Sequence, residues 1–313
     1  MPRSLFVLAI LLTLTWSSSS PDAAMDDLLI AIVDEHAVAG PVMRYDGRAW
    51  HSRWPAPDEK LTRTPPPATL DAIPRAWVGR SLPATWIAWP LDRTSARTPI
   101  PIRLTKPVRV DAHCLPAVGL QSDYPTRATT DAHAFPKRKV AIAVTDPTVQ
   151  IHPIAVLPVD SDEGRALTRT LRAPFLALAR RDSAKAADPL DVAADVPIRW
   201  TRIWTARDPH SGDRLALVDG HMDVPRAPRF YAGSFWIRDR GTPGRPLDRR
   251  GRVFLTDEDF KGNESSAPLG ILAIGARSFW LEQVNGYESE AYRLIELSAP
   301  HWPEALRVQG GGC

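Results

Sequence analysis

Apolar positions along this chain fall into short runs separated by proline, glycine and acidic turn residues, and the spacing inside each run predicts its structure. Ile100 to Val110 and Val140 to Val144 alternate or run apolar between turn residues, which predicts strands. Val149 to Val159 follows suit, with Pro153 and Pro158 marking an edge or bend. In residues 161–181, Leu167, Leu171, Phe175 and Leu178 recur at helical spacing behind an Asp160/Glu163 capping-box pattern, so the longest helix is expected there, kinked at Pro174. A second, shorter helix is expected over residues 26–38. Asp26 and Asp27 favour its dipole, Leu28, Leu29 and Ile32 form its buried side with Val33 beside them, and Gly40-Pro41 stops it. Residues 68–92 are broken by Pro74, Pro83 and Pro90, so any helix there is short.

From Val196 onward the pattern is mostly β. Ile198 to Trp204 and Arg214 to Val218 read as strands around the turn residues of Asp208 to Asp213. Phe279 to Val284 and Tyr287 to Leu297 flank Asn285-Gly286, a pair favoured in two-residue hairpin turns with positive φ at both positions. The fold class these patterns imply is α+β, a mainly antiparallel β-sheet with a few helices and a β-rich C-terminal half. The chain divides into residues 1–20, an N-terminal helix and Pro/Trp-rich segment over 21–67, a mixed α/β region over 68–195 and a β-rich region over 196–313. Pro65-Pro66-Pro67 favours a stiff extended linker.

Composition changes this picture in two places. The first is the N-terminus, where Arg3, an apolar run from Ser4 to Trp16 and the small residues Ser17 to Ser20 have the order of a secretory signal peptide. The run is shorter than the roughly 20 residues that span a bilayer. A secreted or periplasmic protein with no stable membrane span after cleavage is therefore expected. Cys114 and Cys313 are the only cysteines, and in an oxidising compartment they either pair or stay free. The second place is charge: 39 Lys and Arg against 36 Asp and Glu leave a net charge of only +3 over 313 residues. Nucleic acid is excluded as an expected partner, because phosphate binding needs concentrated positive charge.

Acid and imidazole groups gather in Asp111-Ala112-His113, Asp131-Ala132-His133 and Asp219-Gly220-His221-Met222-Asp223. On an extended segment, residues two apart share a face and could share a cation. Leu215 to Pro225 resembles the strand and His-x-Asp metal motif of the di-zinc aminoacylase and carboxypeptidase family, and Gly251 to Phe254 followed by Asp259-Phe260-Lys261-Gly262 resembles a later segment of that family. The resemblance covers residues 215–262. It implies zinc, with His221 and Asp259 as ligands and Asp223 orienting His221, in a site where paired metal ions activate a bridging water. Three features of the chain depart from the family: no Glu-Glu dipeptide follows Asp259, His301 is the only histidine after His221, and more than half of the chain precedes the matching strand, where the family has far less, and shows no matching pattern.

Tryptophan is abundant, at 11 residues. Such rings either fill a β-rich core or form an exposed platform that stacks on a carbohydrate or a peptide. Trp200 and Trp204 are four apart, so on a regular strand they share a face with Arg202 between them, and Trp236 joins them as a candidate ligand-binding ring. Gly-x-Ser-x-Gly, Walker-type, dinucleotide-binding Gly-x-Gly-x-x-Gly and Cys-x-x-Cys motifs are all missing. The expectation is an extracytoplasmic, non-catalytic binding or interaction module without a cofactor. The alternative is a zinc-dependent hydrolase with His221, Asp223 and Asp259 at its metal site.

Overall fold

The computed structural model describes residues 27–55, 57, 84–91, 98–112, 115–126, 139–185, 192, 195–224, 229–241, 247–257 and 264–312. The signal-like segment, the Pro65–Pro67 linker, the Asp131–His133 segment, both cysteines and Asp259 lie outside these residues.

Strand β1 (Leu28–Asp34) shows how the sequence builds the first layer. Six consecutive apolar residues, Leu28 to Val33, are all buried, at 3% exposure or less. Leu29, Ala31 and Val33 point into one core, while Leu28, Ile30 and Ile32 point into another. A strand buried on both faces needs no polar alternation. This is why the stretch expected to be a helix over residues 26–38 is instead, from Leu28 onward, β1, a turn and the start of β2 (Val38–Tyr45). At that turn Ala37 adopts φ 59°, and Asp34 Oδ1 accepts from the backbone N–H groups of His36 and Val38.

β1 pairs with both β2 and β7 (Lys139–Val144). Together with β4 (Ala84–Pro90), β5 (Ile100–Ala112) and β6 (Leu115–Ser122) they close a six-stranded antiparallel barrel in the order β1-β7-β4-β5-β6-β2, with β3 (Trp50–His51) appended to β2. Its interior mixes small and large side chains. Ala31, Ala39, Ala88, Ala141 and Ala143 leave room for Trp54 and Trp86. The Trp54 indole donates to the Val118 carbonyl at 3.2 Å.

Two further antiparallel sheets follow. After β7 the chain adds β8 (Gln150–His152) to the edge of one and β9 (Ala155–Val156) to the edge of the other. It then forms α1 (Asp162–Ser183), capped by Ser161, whose Oγ accepts from the Gly164 N–H at 3.0 Å. The meander β10 (Arg199–Arg207), β11 (Arg214–Asp223), β12 (Arg229–Asp239) and β13 (Asp248–Asp257) completes the sheet that holds β9. The meander β14 (Ser265–Ile274), β15 (Arg277–Asn285), β16 (Ser289–Glu296) and β17 (Glu304–Gly312) completes the sheet that holds β8.

The layers stack as barrel, β14–β17 sheet, β10–β13 sheet and helix. Leu28, Ile30 and Ile142 of the barrel pack against Leu272, Phe279 and Leu294. Leu217 and Trp204 pack against Ile271, Trp280 and Ile295 across the sandwich. Leu171, Phe175 and Ala179 of α1 cover Val218, Phe235 and Val253 on the far face. Arg277 ties the barrel to its neighbour: it stacks on Tyr45 and Phe279, donates to the Tyr45 hydroxyl at 2.7 Å and forms a forked pair with Glu296.

Among the described residues 61% are strand and 10% helical, with one helix, so the fold is largely all-β. This overturns the α+β expectation. The signals read as additional helix belong to apolar strands enclosed on both sides. The Asn285-Gly286 hairpin is present, but its turn is longer than two residues. Asn285 still pairs with Glu290, the Gly286 N–H donates to the Ser289 carbonyl, and neither turn residue has positive φ. A Cβ at 286 would meet only the Ser289 hydroxyl, at 2.4 Å, which a rotation of that side chain removes.

Candidate functional site

The sandwich between the β10–β13 and β14–β17 sheets is apolar near its middle and charged towards one edge. Alternation sets this arrangement. On β11, Leu215 and Leu217 face the sandwich, so Asp219 does too. The register then aligns Arg202, Asp219, Ser234 and Arg252 across four strands. Facing them, Glu282, Arg293 and Arg307 align across β15, β16 and β17.

Glu282 is fully buried. Burial pushes its carboxyl upward from the usual range, and the Arg293 guanidinium opposes that push. Its Oε1 accepts from Arg293 Nε at 2.6 Å and its Oε2 accepts from the Trp280 indole at 3.2 Å. Glu264 is shared by Arg252 and Arg307. Burial raises its pKa, but hydrogen bonds from Arg307 and Arg252, with their charges, outweigh that and hold it below the ordinary carboxylate range. Asp219 is raised from 3.8 to about 6, chiefly by burial, against a hydrogen bond with Ser234 and the charge of Arg202. The residue as a whole keeps some solvent contact, but its Oδ1 is enclosed and has no hydrogen-bond partner.

Beside this charged row lies a pocket of about 230 Å³. Ser234 and Trp236 of β12 form one wall together with Arg250 and Arg252, their direct cross-strand partners on β13. Ser266, Arg293, Ile295, Trp302 and Glu304 form the other. Gly251 sits between the two arginines and turns to the helix side, where a Cβ would lie 2.4 Å from the Phe235 ring. Glycine there lets β13 lie close over the core while both arginines face the pocket.

Trp302 is the least ordinary part of this wall. It has φ 48°, and His301 before it has φ 62°, a left-handed conformation that is costly for bulky residues. Each such residue costs on the order of 1–3 kcal/mol. Several contacts hold the conformation. Trp302 is 6% exposed, and the Arg238 guanidinium lies 5.3 Å from its ring centre. Arg250 donates to the carbonyls of His301 and Trp302 at 3.4 and 3.2 Å. A register shift between Leu294 and Ile295 bends the adjoining strand. Across the pocket, Trp236 meets Trp280 edge-on, with ring centres 4.7 Å apart.

The three candidate rings do not share one surface. A bulge at Thr201 separates Trp200, paired with Gly220, from Arg202, paired with Asp219. The bulge puts Trp200 against Phe175 and Phe235 on the helix side and Trp204, 3% exposed, in the sandwich core. This corrects the expectation that Trp200 and Trp204 share a face. Only Trp236 of the three lines the pocket. Sequence reasoning missed Trp302, Arg250, Arg252 and Arg293. The dipeptide His301-Trp302 between Pro300 and Pro303 was the visible signal of an unusual turn.

His221 and Asp223 lie two apart at the end of β11. The His221 ring packs edge-on against Phe230 at 5.8 Å. Asp223 is exposed and pairs with Arg199 at 3.3 Å. Among the described residues no group of three or more His, Cys, Asp or Glu side chains is arranged to hold a metal ion. No helix among them is long and apolar enough to cross a membrane.

Fold and site together define a layered β protein whose most distinctive cleft is an arginine- and tryptophan-lined pocket at a sandwich edge. Family models, curated proteins and solved structures were all compared with the chain, and none matches.

Proposed function

We propose that this chain is a non-catalytic binding module acting outside the cytoplasm, taking a small ligand in the pocket between Trp236 and Arg250 on one side and Trp302 and Ile295 on the other. The observation that carries the reading is the left-handed His301-Trp302 pair. Backbone strain gathers at binding sites, where the surrounding structure holds a conformation the residue would not choose alone. Here it holds a buried indole in the wall of a cleft bordered by guanidinium groups. The aromatic walls suit the ring of a sugar or of a peptide side chain. The volume is below the roughly 300–1,000 Å³ of pockets that enclose drug-sized molecules, which favours a one-ring ligand over a longer chain. The export reading rests on the order of Arg3, the Ser4–Trp16 run and Ser17–Ser20.

Saturation-transfer NMR with a panel of single-ring sugars, amino-acid derivatives and aromatic acids tests the reading. Binders whose signals are lost in Trp236→Ala support it, while a panel without binders, or binders unaffected by that change, overturns it. Metal analysis adds a second arm: stoichiometric zinc that is lost in His221→Ala would replace the binding module with the zinc-hydrolase alternative.

A further inference from the structure

We propose that the ligand of this pocket carries a carboxylate, which Arg250 receives while the ring of the same ligand packs between Trp236 and Trp302. The inference rests on the binding-module reading above and adds the chemical class of the ligand.

Charge pairing singles out Arg250. Of the three arginines lining the pocket, Arg293 is held by Glu282 and also faces Glu304 at 3.8 Å. Arg252 shares Glu264 with Arg307, so two guanidinium groups divide one carboxylate and leave a positive charge over. Arg250 has no carboxylate partner among the described residues, and its hydrogen bonds there run from Nη1 to two backbone carbonyls. Those bonds fix the side chain at the pocket wall and leave the rest of the guanidinium edge, with its paired donor geometry, to an incoming acceptor. By the same count the two carboxylates at Arg293 leave a negative charge over, so the cleft carries one net positive charge, and its remaining lining is two indoles, an isoleucine, two serines and a glycine.

The distribution also says which part of a ligand goes where. The positive charge sits on β13, at the open edge of the sheet. Trp236, Ile295 and Trp302 form the apolar part of the lining. A molecule with an acid group at one end and a ring at the other satisfies both at once. A neutral molecule of the same shape would leave the Arg250 edge without a counter-charge. A compound with two acid groups would set one of them against Glu304.

Carboxylates of this description come from a peptide C-terminus or from an acidic sugar. The test is calorimetric titration of the full chain with two matched pairs: N-acetylphenylalanine against its amide, and glucuronate against glucose. The expected result is binding of one acid about tenfold or more tighter than its neutral counterpart. The pair that shows the preference identifies the source. That preference should disappear in Arg250→Gln, persist in part in Arg250→Lys and shrink as salt rises in the unmodified chain. Equal binding of acid and neutral partner overturns the carboxylate inference and leaves the pocket as a binding site. Absence of binding by all four overturns the inference, and the broader NMR panel then decides the binding-module reading separately.

Discussion

Replacing Asp219 with asparagine removes a carboxylate whose Oδ1 is enclosed without a hydrogen-bond partner. Burial raises its pKa from 3.8 to about 6, so the native state binds this proton more tightly than the unfolded chain does. The sign follows from linkage. Below about pH 3.8 both states are protonated and the group costs nothing. As pH rises, the unfolded chain releases its proton first, and stability falls through about pH 6, levelling off about a unit above it. The gap between 3.8 and about 6, at about 1.4 kcal/mol per pH unit, makes the full loss about 3 kcal/mol. About half of it is reached near pH 5.

The assay is urea unfolding of the unmodified chain and of Asp219→Asn at several pH values from 4 to 8. The shape of the difference curve is the readout, since a constant offset reflects only the change of side chain. Relative to pH 4, where part of the loss has already occurred, Asp219→Asn should gain about 2.4 kcal/mol on the unmodified chain by pH 7, with most of the change between pH 4 and 6. In a thermal scan of a 313-residue chain this corresponds to roughly 4 °C. A difference that does not vary with pH, or one in which the unmodified chain gains as pH rises, would mean that Asp219 is not held protonated by burial.

Two other substitutions probe the same region. Gly251→Ala drives a Cβ towards the Phe235 ring and should cost about 1–3 kcal/mol by overpacking, measurable as a lower urea midpoint, whereas an unchanged midpoint would mean that β13 is not held against Phe235. Glu282→Ala leaves the Arg293 guanidinium without its buried partner and should cost about 3–5 kcal/mol. The double change Glu282→Leu with Arg293→Met should restore most of that stability, and a double variant no more stable than the single one contradicts the pairing.

Local pattern was most informative where one face of an element was polar. The α1 stripe is an example: Leu171 and Phe175 are fully buried, while the flanking Leu167 and Leu178 pack at its margin. The β10–β11 and β15–β16 hairpins were legible for a related reason, since turn residues bracket each run. Pattern failed at Leu28 to Val33, because a barrel wall that also packs on a sheet buries both faces and erases the period that separates strand from helix. Barrel closure was invisible for the same reason: it depends on β1 pairing with β2 and β7 at once, a long-range fact with no local signature.

The site was less legible than the fold. Counting two residues at a time puts Trp200 and Trp204 together, and a single extra residue at Thr201 reverses that. Such a bulge leaves no mark in composition. The pocket lining comes from five strands and one turn spread over residues 234–304, so only the finished register brings Arg250, Arg293 and Trp302 together.

On the proposed reading, the cleft bordered by Trp236, Arg250 and Trp302 is where this protein meets its ligand. Crystals of the protein soaked with a collection of single-ring fragments test it most directly. Fragment density is expected between the Trp236 and Trp302 rings, with acid groups turned to Arg250. Density gathered at another surface, with this cleft vacant across the whole collection, would contradict it.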